Sequence, residues 1–541
     1  MSDLTAERSI DYRLTNPGYT IYHRAALGGL AATVRAWDEG EDKDKPEGIA
    51  AELHADHVRL SWKNITEQEA LRRILDASFK LTSPDKPHGG KLIDLPGHGI
   101  KGDDDLRLAI HTGLLGTFLQ HNKMRPGEKE PRRMTLSSSD NPEESALFTY
   151  KAVDSYAHQR AQGTGLLDEK LKGAFPARAA IPQSVVPGAM SGASELEASP
   201  EEAVLLLFLM VGCAVFLLRP RENKERARYC IVVPDVVDLD AFADELRHVA
   251  SMGREVQGKR FKNTYLNRVV GGAEEAALNF LIDMEAGRVA KKRHGIAGCV
   301  AIAMGKVAWD ANQINRSVIV KVGGEYGEIE VFRAAKRELG GSRTIKLKSG
   351  EGFAVPMSPI PELAAANLAR GHHWYENFSA LVSDKDGLKS MRFARKGLIA
   401  MSKAIKDVED QAIIRTFHKA WEMKYGQLSK RASDLHNASP NSKQKEIFGR
   451  LSEVEREKVR NAILRTKTSE KLGAWFLGFC ADATKGASIK PLRDADEARR
   501  VREFIFNPRN FERFQNLCLF SLVSYAGKYA DTDEGNKEGD E

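Results

Sequence analysis

The 541-residue sequence has little cysteine, and the five cysteines that it contains lie far apart. None of them is paired at the spacing of a zinc site or a redox motif. A small, odd number of cysteines in apolar surroundings predicts reduced, buried thiols and a cytoplasmic location. The first thirteen residues are polar and charged, without the apolar core of a signal peptide, so we expect no export.

Long apolar runs and catalytic motifs are also missing. The run at residues 204–218 is shorter than the roughly 20 residues that a membrane-spanning helix needs. It also contains Gly212 and Cys213, so it predicts a buried strand or core helix. The sequence has no glycine-rich phosphate loop ending in Lys-Ser/Thr, no nucleophile elbow and no paired-cysteine zinc site. We therefore expect no enzymatic activity, no cofactor, no metal site and no membrane association.

Two histidine pairs and one acidic run are the weak candidates for other chemistry. The spacing of His54 and His57 would bring their rings together on a helix, but the local pattern continues into a strand and no third ligand is near. The aspartates at residues 103–105 could bind a divalent cation in a nuclease or other hydrolase, although acidic residues after a glycine more often cap a helix. For His372 and His373 we expect a structural or nucleic-acid-contacting role.

What the sequence does contain is segregated charge. The net charge is about −7 over residues 1–250, about +8 over residues 251–350 and about +11 over residues 371–530. Residues 531–541 carry about −5. Segregated positive charge predicts a polyanionic partner but does not distinguish DNA from RNA, and a solvated helix face remains the alternative.

The apolar periodicity predicts an α+β N-terminal body followed by a C-terminal all-α helical bundle. We expect the body at residues 1–370, with a possible sub-boundary near 176–200, where proline, glycine and serine accumulate. From residue 371 to 530 the strand signals stop and helical periodicity predicts a bundle of five or six helices. Ile413, Phe417 and Trp421, each four residues apart, form one apolar stripe that we expect in its core. The acidic tail, residues 531–541, is predicted to be disordered.

One local prediction in the body concerns a turn rich in glycine. Residues 317–322 and 328–332 flank a glycine-bearing loop, which is typical of a β-hairpin.

Three basic clusters are the candidate nucleic-acid-binding sites. The first combines cations for phosphates, an asparagine for a base edge, and neighbouring Phe261 and Tyr265 for stacking. Its candidates are Arg254, Lys259, Arg260, Lys262, Asn263 and Arg268. The second is the compact patch of Lys291, Lys292 and Arg293.

The third cluster runs along the predicted bundle. Its members are Lys389, Arg392, Arg395 and Lys396, followed by Lys403 and Lys406. Intervals of three and four residues would place several of these cations on one side of a helix, as a bound strand requires. The same spacing also suits a solvated helix face. A different class of function therefore stays open, namely a scaffolding protein whose basic bundle binds an acidic protein partner.

Residues 16–30, Asn-Pro-Gly-Tyr-Thr-Ile-Tyr-His-Arg-Ala-Ala-Leu-Gly-Gly-Leu, resemble the opening of the large subunits of type I CRISPR-associated Cascade complexes, of the type I-B or MYXAN kind. The apolar run at residues 204–218 and the segment at residues 229–235, a strand that ends in Val-Pro-Asp, are similar to that family as well. The order of an α+β body and a helical bundle, which resembles a Cascade small subunit, also fits.

This resemblance implies a non-catalytic subunit of a crRNA-guided DNA surveillance complex. Its partners would be the crRNA, target double-stranded DNA and the backbone, handle-binding and small subunits. It would recognise the protospacer-adjacent motif, stabilise the R-loop and recruit a helicase-nuclease, while base pairing with the guide selects the sequence.

The bundle could also be produced separately by internal translation. Residues 395–397, Arg-Lys-Gly, can be encoded by a purine-rich run, and Met401 follows at a spacing that suits a ribosome-binding site. Met391 is a second possible start.

Overall fold

The computed structural model describes residues 6–40, 44–84, 90–100, 104–119, 127, 130–137, 145–156, 199–218, 228–252, 268–286, 295–303, 317–321, 328–346, 352–356, 358–391, 393–438, 443–484 and 495–525. The chain divides into two compact units. Unit 1 comprises Met1–Gly324 and Ser342–Pro356, and unit 2 comprises Glu325–Gly341 and Met357–Glu541. The predicted boundary at residue 370 and the sub-boundary near 176–200 stay predictions.

The strands described all belong to unit 1. They are β1 (Arg8–Arg13), β2 (Ile49–Leu53), β3 (His57–Trp62), β4 (Lys80–Thr82), β5 (Leu92–Asp94), β6 (Arg132–Ser137), β7 (Ser145–Tyr150), β8 (Ala214–Leu218), β9 (Arg228–Val236), β10 (Arg268–Val270), β11 (Ile296–Ala303), β12 (Ser317–Lys321), β13 (Ser342–Lys346) and β14 (Gly352–Pro356). The helices of unit 1 are α1 (Ile21–Glu39), α2 (Glu67–Ser78), α3 (Asp104–Leu115), α4 (Pro200–Leu207), α5 (Leu209–Gly212), α6 (Leu239–Met252) and α7 (Ala273–Ala286).

The main sheet of unit 1 has five strands in the order β10-β8-β9-β11-β12. β10 pairs with β8 in parallel, and the other neighbours are antiparallel. The central strand β9 is almost entirely buried, because α1 contacts it and α7 packs against it and its neighbour β11. A strand buried in this way consists of continuous apolar residues, as at residues 230–234.

Helix α1 is the centre of unit 1, and its small residues allow close packing. A Cβ atom on Gly29 would lie 2.2 Å from the Phe208 carbonyl oxygen, and one on Gly212 would lie 1.9 Å from the Ala25 carbonyl oxygen. The backbones of α1 and α5 therefore approach each other at a distance that only glycine permits at these two positions. Residues 16–30 are called the N-terminal motif below. Its Gly-Gly-Leu part thus serves the packing of α1 against α5.

The polar residues of the same motif connect α1 to distant parts of unit 1. His23 Nδ1 accepts from the Thr20 backbone N–H at the start of α1, and its Nε2 lies 2.9 Å from Glu202 Oε1. Arg24 Nε donates to Asp235 Oδ1 at 2.6 Å, so α1 is linked to the end of β9. The N-terminal motif is therefore part of the scaffold.

One local prediction in the body was wrong. Residues 328–332 do not form the second strand of a hairpin: they begin α8 (Ile329–Leu339), whose buried Val331, Phe332 and Ala335 follow helical spacing. The first strand exists as β12, but it pairs with β11. The strand that the local pattern predicts at the second histidine of the other pair is confirmed: His54 and His57 lie on the β2–β3 hairpin, where their rings stack at 4.4 Å.

Unit 2 is all-helical in its described residues. Besides α8 it contains α9 (Ile360–Leu368), α10 (Phe378–Leu381), α11 (Lys385–Ser390), α12 (Arg395–Ala404), α13 (Val408–Ala438), α14 (Gln444–Arg465), α15 (Ser469–Ala483), α16 (Ala495–Phe506) and α17 (Phe511–Ser524). The predicted fold class, an α+β body with a C-terminal helical bundle, is confirmed.

The 31-residue helix α13 is the axis of this bundle, and α14, α15, α16 and α17 all contact it. The predicted stripe of Ile413, Phe417 and Trp421 is completely buried. Phe476 joins it to α17 by ring contacts with Phe417 at 6.4 Å and Phe514 at 5.3 Å. None of the helices in the described part of either unit is both long and apolar enough to cross a membrane.

Candidate nucleic-acid interface

The basic segment, residues 385–406, comprises α11, a turn and α12. Asp384 caps α11 by accepting from the Gly387 backbone N–H at 2.6 Å. The turn continues with hydrogen bonds from the Phe393 N–H to the Ser390 carbonyl and from the Ala394 N–H to the Met391 carbonyl, both 3.2 Å. Met391 and Ala394 are buried, so the turn is attached to the bundle at two points.

Helix α12 has one face in the core and one face in solvent. Leu398 and Met401 are fully buried, and the helix packs against α8 and α17. A Cβ atom on Gly397 would lie 2.2 Å from Leu339 Cγ, so the approach to α8 is close. The opposite face carries the exposed Lys396 and Lys403.

Four lysines of the basic segment are exposed. Lys389, Lys396, Lys403 and Lys406 form no ion pair with any residue that the structure describes. Elsewhere in the bundle, lysines do find carboxylates, as Lys424 does with Glu455 at 3.3 Å. Cations that lack an internal carboxylate keep their full charge for an external anion, so this surface suits a phosphate backbone.

Arg395 differs from these lysines because it also has a structural contact. Its Nε donates to the Tyr525 carbonyl oxygen at 3.1 Å, and the residue is half-buried. Of the third predicted cluster, the structure therefore exposes Lys389, Lys396, Lys403 and Lys406 and half-buries Arg395.

The side chains of the other predicted site residues lie outside the described part of the chain. Arg268 is described only in its backbone, where it pairs with Phe216 at the start of β10. Arg254, Lys259, Arg260, Lys262, Asn263, Lys291, Lys292, Arg293 and Arg392 lie outside the described residues. Their contact with nucleic acid stays a prediction.

Sequence reasoning overlooked one residue at the centre of the basic segment. Phe393, which stands between two arginines in the sequence, is 92% exposed. The Met-Arg-Phe-Ala-Arg-Lys sequence places this phenylalanine among cations, which is a signal for a surface position. Phenylalanine in a helical region, however, normally predicts a core position.

A second overlooked feature is a partly buried polar network that joins α8, the segment after α9, α13 and α17. His373 Nδ1 lies 2.9 Å from Glu328 Oε1, and the Trp374 N–H donates to Glu328 Oε2 at 3.0 Å. The Tyr375 hydroxyl donates to Asp410 Oδ2 at 2.8 Å. The network lies beside a cavity of about 580 Å³ that Glu328, His373, Lys406 and others line.

Charge compensation governs this network. Asp410 is fully buried, and Arg513 donates to its Oδ1 from Nη2 at 2.8 Å and from Nε at 3.1 Å. Burial nevertheless raises the pKa of Asp410 to about 6. The hydrogen bond with Glu328 raises the pKa of His373.

Ligand atoms of Glu328, His373 and Asp410 lie within 4.8 Å of one another, a grouping that could hold a metal ion. However, Arg513 and Tyr375 already engage both oxygens of Asp410. The arrangement therefore favours a network that holds four parts of the bundle together. Of the aspartate run, Asp104 has a structural contact, since it pairs with Arg107 at 3.2 Å in α3.

Comparisons with known proteins extend over both units. Residues 11–207 match the family model of the DevT N-terminal domain, and residues 402–541 match that of the DevT C-terminal domain. The CRISPR-associated protein Cas8a1/Csx13 of Myxococcus xanthus (strain DK1622) is 26% identical over 560 residues, which cover 97% of this chain and 90% of that protein. The similarity thus includes the N-terminal motif, the sheet and the bundle.

Proposed function

Because the chain belongs to the CRISPR-associated large-subunit family of the Myxococcus type, we propose that it is the non-catalytic large subunit of a crRNA-guided DNA surveillance complex in the cytoplasm. The observation that carries this proposal is the similarity to a CRISPR-associated protein along 97% of the chain. The exposed lysines of the basic segment support it, because such a subunit must hold a phosphate backbone.

The proposed partners are the crRNA, target double-stranded DNA, the backbone, handle-binding and small subunits, and a helicase-nuclease recruited on target binding. Guide pairing selects the sequence, and the large subunit recognises the short adjacent motif and stabilises the opened duplex. We assign motif recognition to residues 254–268, where Asn263 offers an amide for a base edge. We assign binding of the displaced DNA strand to the basic segment.

The bundle is proposed to be made separately as well, from Met401 or Met391. The match to the DevT C-terminal domain begins at residue 402, directly after Met401, which supports the first start. A product starting at Met401 keeps α13 to α17, whereas one starting at Met391 also keeps the whole of α12. The second product would retain the buried Leu398 in its helix.

The test is affinity purification of the tagged chain expressed with its neighbouring genes, followed by RNA extraction and mass spectrometry. Recovery of a discrete guide RNA, several further subunits and a C-terminal fragment is expected. Replacing Met391 and Met401 by leucine separately identifies the start, because only the substitution of the true start removes the fragment. Recovery of protein partners without RNA would contradict the proposal and favour a scaffolding protein.

A further inference from the structure

Phe393 is the most exposed large apolar side chain in the described part of the protein. Its ring is 92% exposed, whereas the other exposed large apolar residues range from 40% to 53%. An aromatic ring that gains nothing from burial within its own chain is available to an external partner. A single exposed apolar side chain is common on protein surfaces, so the groups beside this ring decide whether it belongs to a binding surface.

The ring is presented from a fixed backbone. The neighbours Met391 and Ala394 are 2% and 6% exposed, and they hold both sides of the turn in the core. The hydrogen bond from the Phe393 N–H to Ser390 fixes the backbone at the residue itself. Because this backbone is already fixed, binding of a partner costs only the side-chain rotamer freedom of the ring.

The surroundings of the ring indicate an anionic partner. Lys389 and Lys396, four residues before and three residues after Phe393, are both exposed and have no ion-pair partner among the described residues. An extended chain advances at most about 3.6 Å per residue, so the backbones of both lysines lie within about 14 Å of the Phe393 backbone. Cations on either side of an aromatic ring suit a nucleotide strand, with phosphates on the lysines and a base on the ring.

We propose that Phe393 is a base-stacking platform for single-stranded DNA, with Lys389 and Lys396 on the adjacent phosphates. The inference rests on the proposed function, because opening of the target duplex supplies the unpaired strand. Bases within a duplex already stack on both faces, so the platform favours a single strand over a duplex.

The test compares two single strands of equal length and charge, an oligothymidylate and a fully abasic strand. Binding is measured by fluorescence anisotropy with the purified complex, or with the full chain if it purifies alone. Phe393→Ala is expected to weaken binding of the oligothymidylate about 5- to 150-fold, the range for loss of one stacked base. It should leave binding of the abasic strand and its salt dependence unchanged.

Matched variants separate base stacking from simple apolar contact. Phe393→Trp keeps a π face and should bind like the wild type, whereas Phe393→Leu keeps apolar bulk without a π face and should bind like Phe393→Ala. Because the ring is exposed, none of the three should change the thermal unfolding temperature.

Equal affinity of wild type and Phe393→Ala for the oligothymidylate, or wild-type affinity of Phe393→Leu, would overturn the platform. A larger loss with an RNA strand than with DNA would overturn the assignment to DNA. These outcomes are distinguishable from a failure of the proposed function, which would appear as the absence of guide RNA from the purified tagged chain.

Discussion

Replacing Arg513 by methionine removes the cation from the buried carboxylate of Asp410 while keeping an apolar stem. Asp410 is fully buried, and Arg513 supplies two of its hydrogen bonds. Breaking a buried ion pair from one side costs about 3–5 kcal/mol. The lower end, about 3 kcal/mol, is expected at pH 7.5 because the Arg513 side chain is 23% exposed and because Asp410 can take up a proton.

The pH dependence follows from the pKa of Asp410. Its value of about 6 in the folded chain lies above the ordinary 3.8. Protonated Asp410 therefore contributes to the stability of the folded chain. This contribution is complete below pH 3.8 and is lost as the pH rises through 6. Loss of Arg513 raises this pKa further. The deficit of the variant should thus shrink on acidification towards the smaller loss from the other contacts of Arg513. These are the ion pair with Asp407 at 3.0 Å, the hydrogen bond to the Tyr375 hydroxyl at 2.8 Å and the contact with the Phe504 ring.

The assay is urea unfolding at several pH values, with Arg499→Met as the control. Arg499 pairs with Asp496 on the surface, both largely exposed, so its loss should cost less than about 1 kcal/mol. Adding Asp410→Asn should stabilise the Arg513→Met protein, since it removes the uncompensated charge. A deficit of Arg513→Met that equals that of Arg499→Met, or that does not vary with pH, would show that Arg513 does not compensate the buried charge.

Other parts of the chain allow three further tests. Gly29→Ala should destabilise unit 1 by about 1–3 kcal/mol, because the added Cβ atom clashes with the Phe208 backbone. Gly426→Ala, where a Cβ atom meets open space, should instead stabilise α13 by up to about 1 kcal/mol. Thermal unfolding distinguishes the two variants, and equal effects would rule out the close approach of α1 and α5. Lys389→Ala and Lys396→Ala should each reduce the slope of log affinity against log salt by about 0.7 for a single strand, measured by titration at several salt concentrations. An unchanged slope would show that these two lysines do not contact the phosphates. Burial lowers the pKa of His418 to about 4, so its contribution to stability should be lost as the pH falls from 6.5 through 4, and His418→Gln should show a flatter acid unfolding curve than the wild type.

Sequence reasoning succeeded where the signal is local. The stripe of Ile413, Phe417 and Trp421 repeats every four residues, and the structure buries all three. It failed at residues 328–332, because glycines before a short apolar segment resemble a hairpin loop, while the helix is decided by burial of Val331 and Ala335 in unit 2.

The polar network could not be predicted from the sequence, because its members are far apart along the chain. His373 and Glu328 are 45 residues apart, and Arg513 and Asp410 are 103 residues apart, so only tertiary folding brings them together. Of the candidate site, the basic segment could be predicted from the three- and four-residue spacing of its cations. The exposure of Phe393 could not, because its exposed position depends on how the turn is attached to the core.

A role in DNA surveillance is tested most directly by the opening of a target duplex by the guide-containing complex, assembled with and without this chain. Reactivity of unpaired thymines to permanganate reports the displaced strand. We predict that a duplex with a guide-matched site and an adjacent motif opens only when this chain is present. Equal opening in its absence would contradict a role in motif recognition and in stabilising the opened DNA.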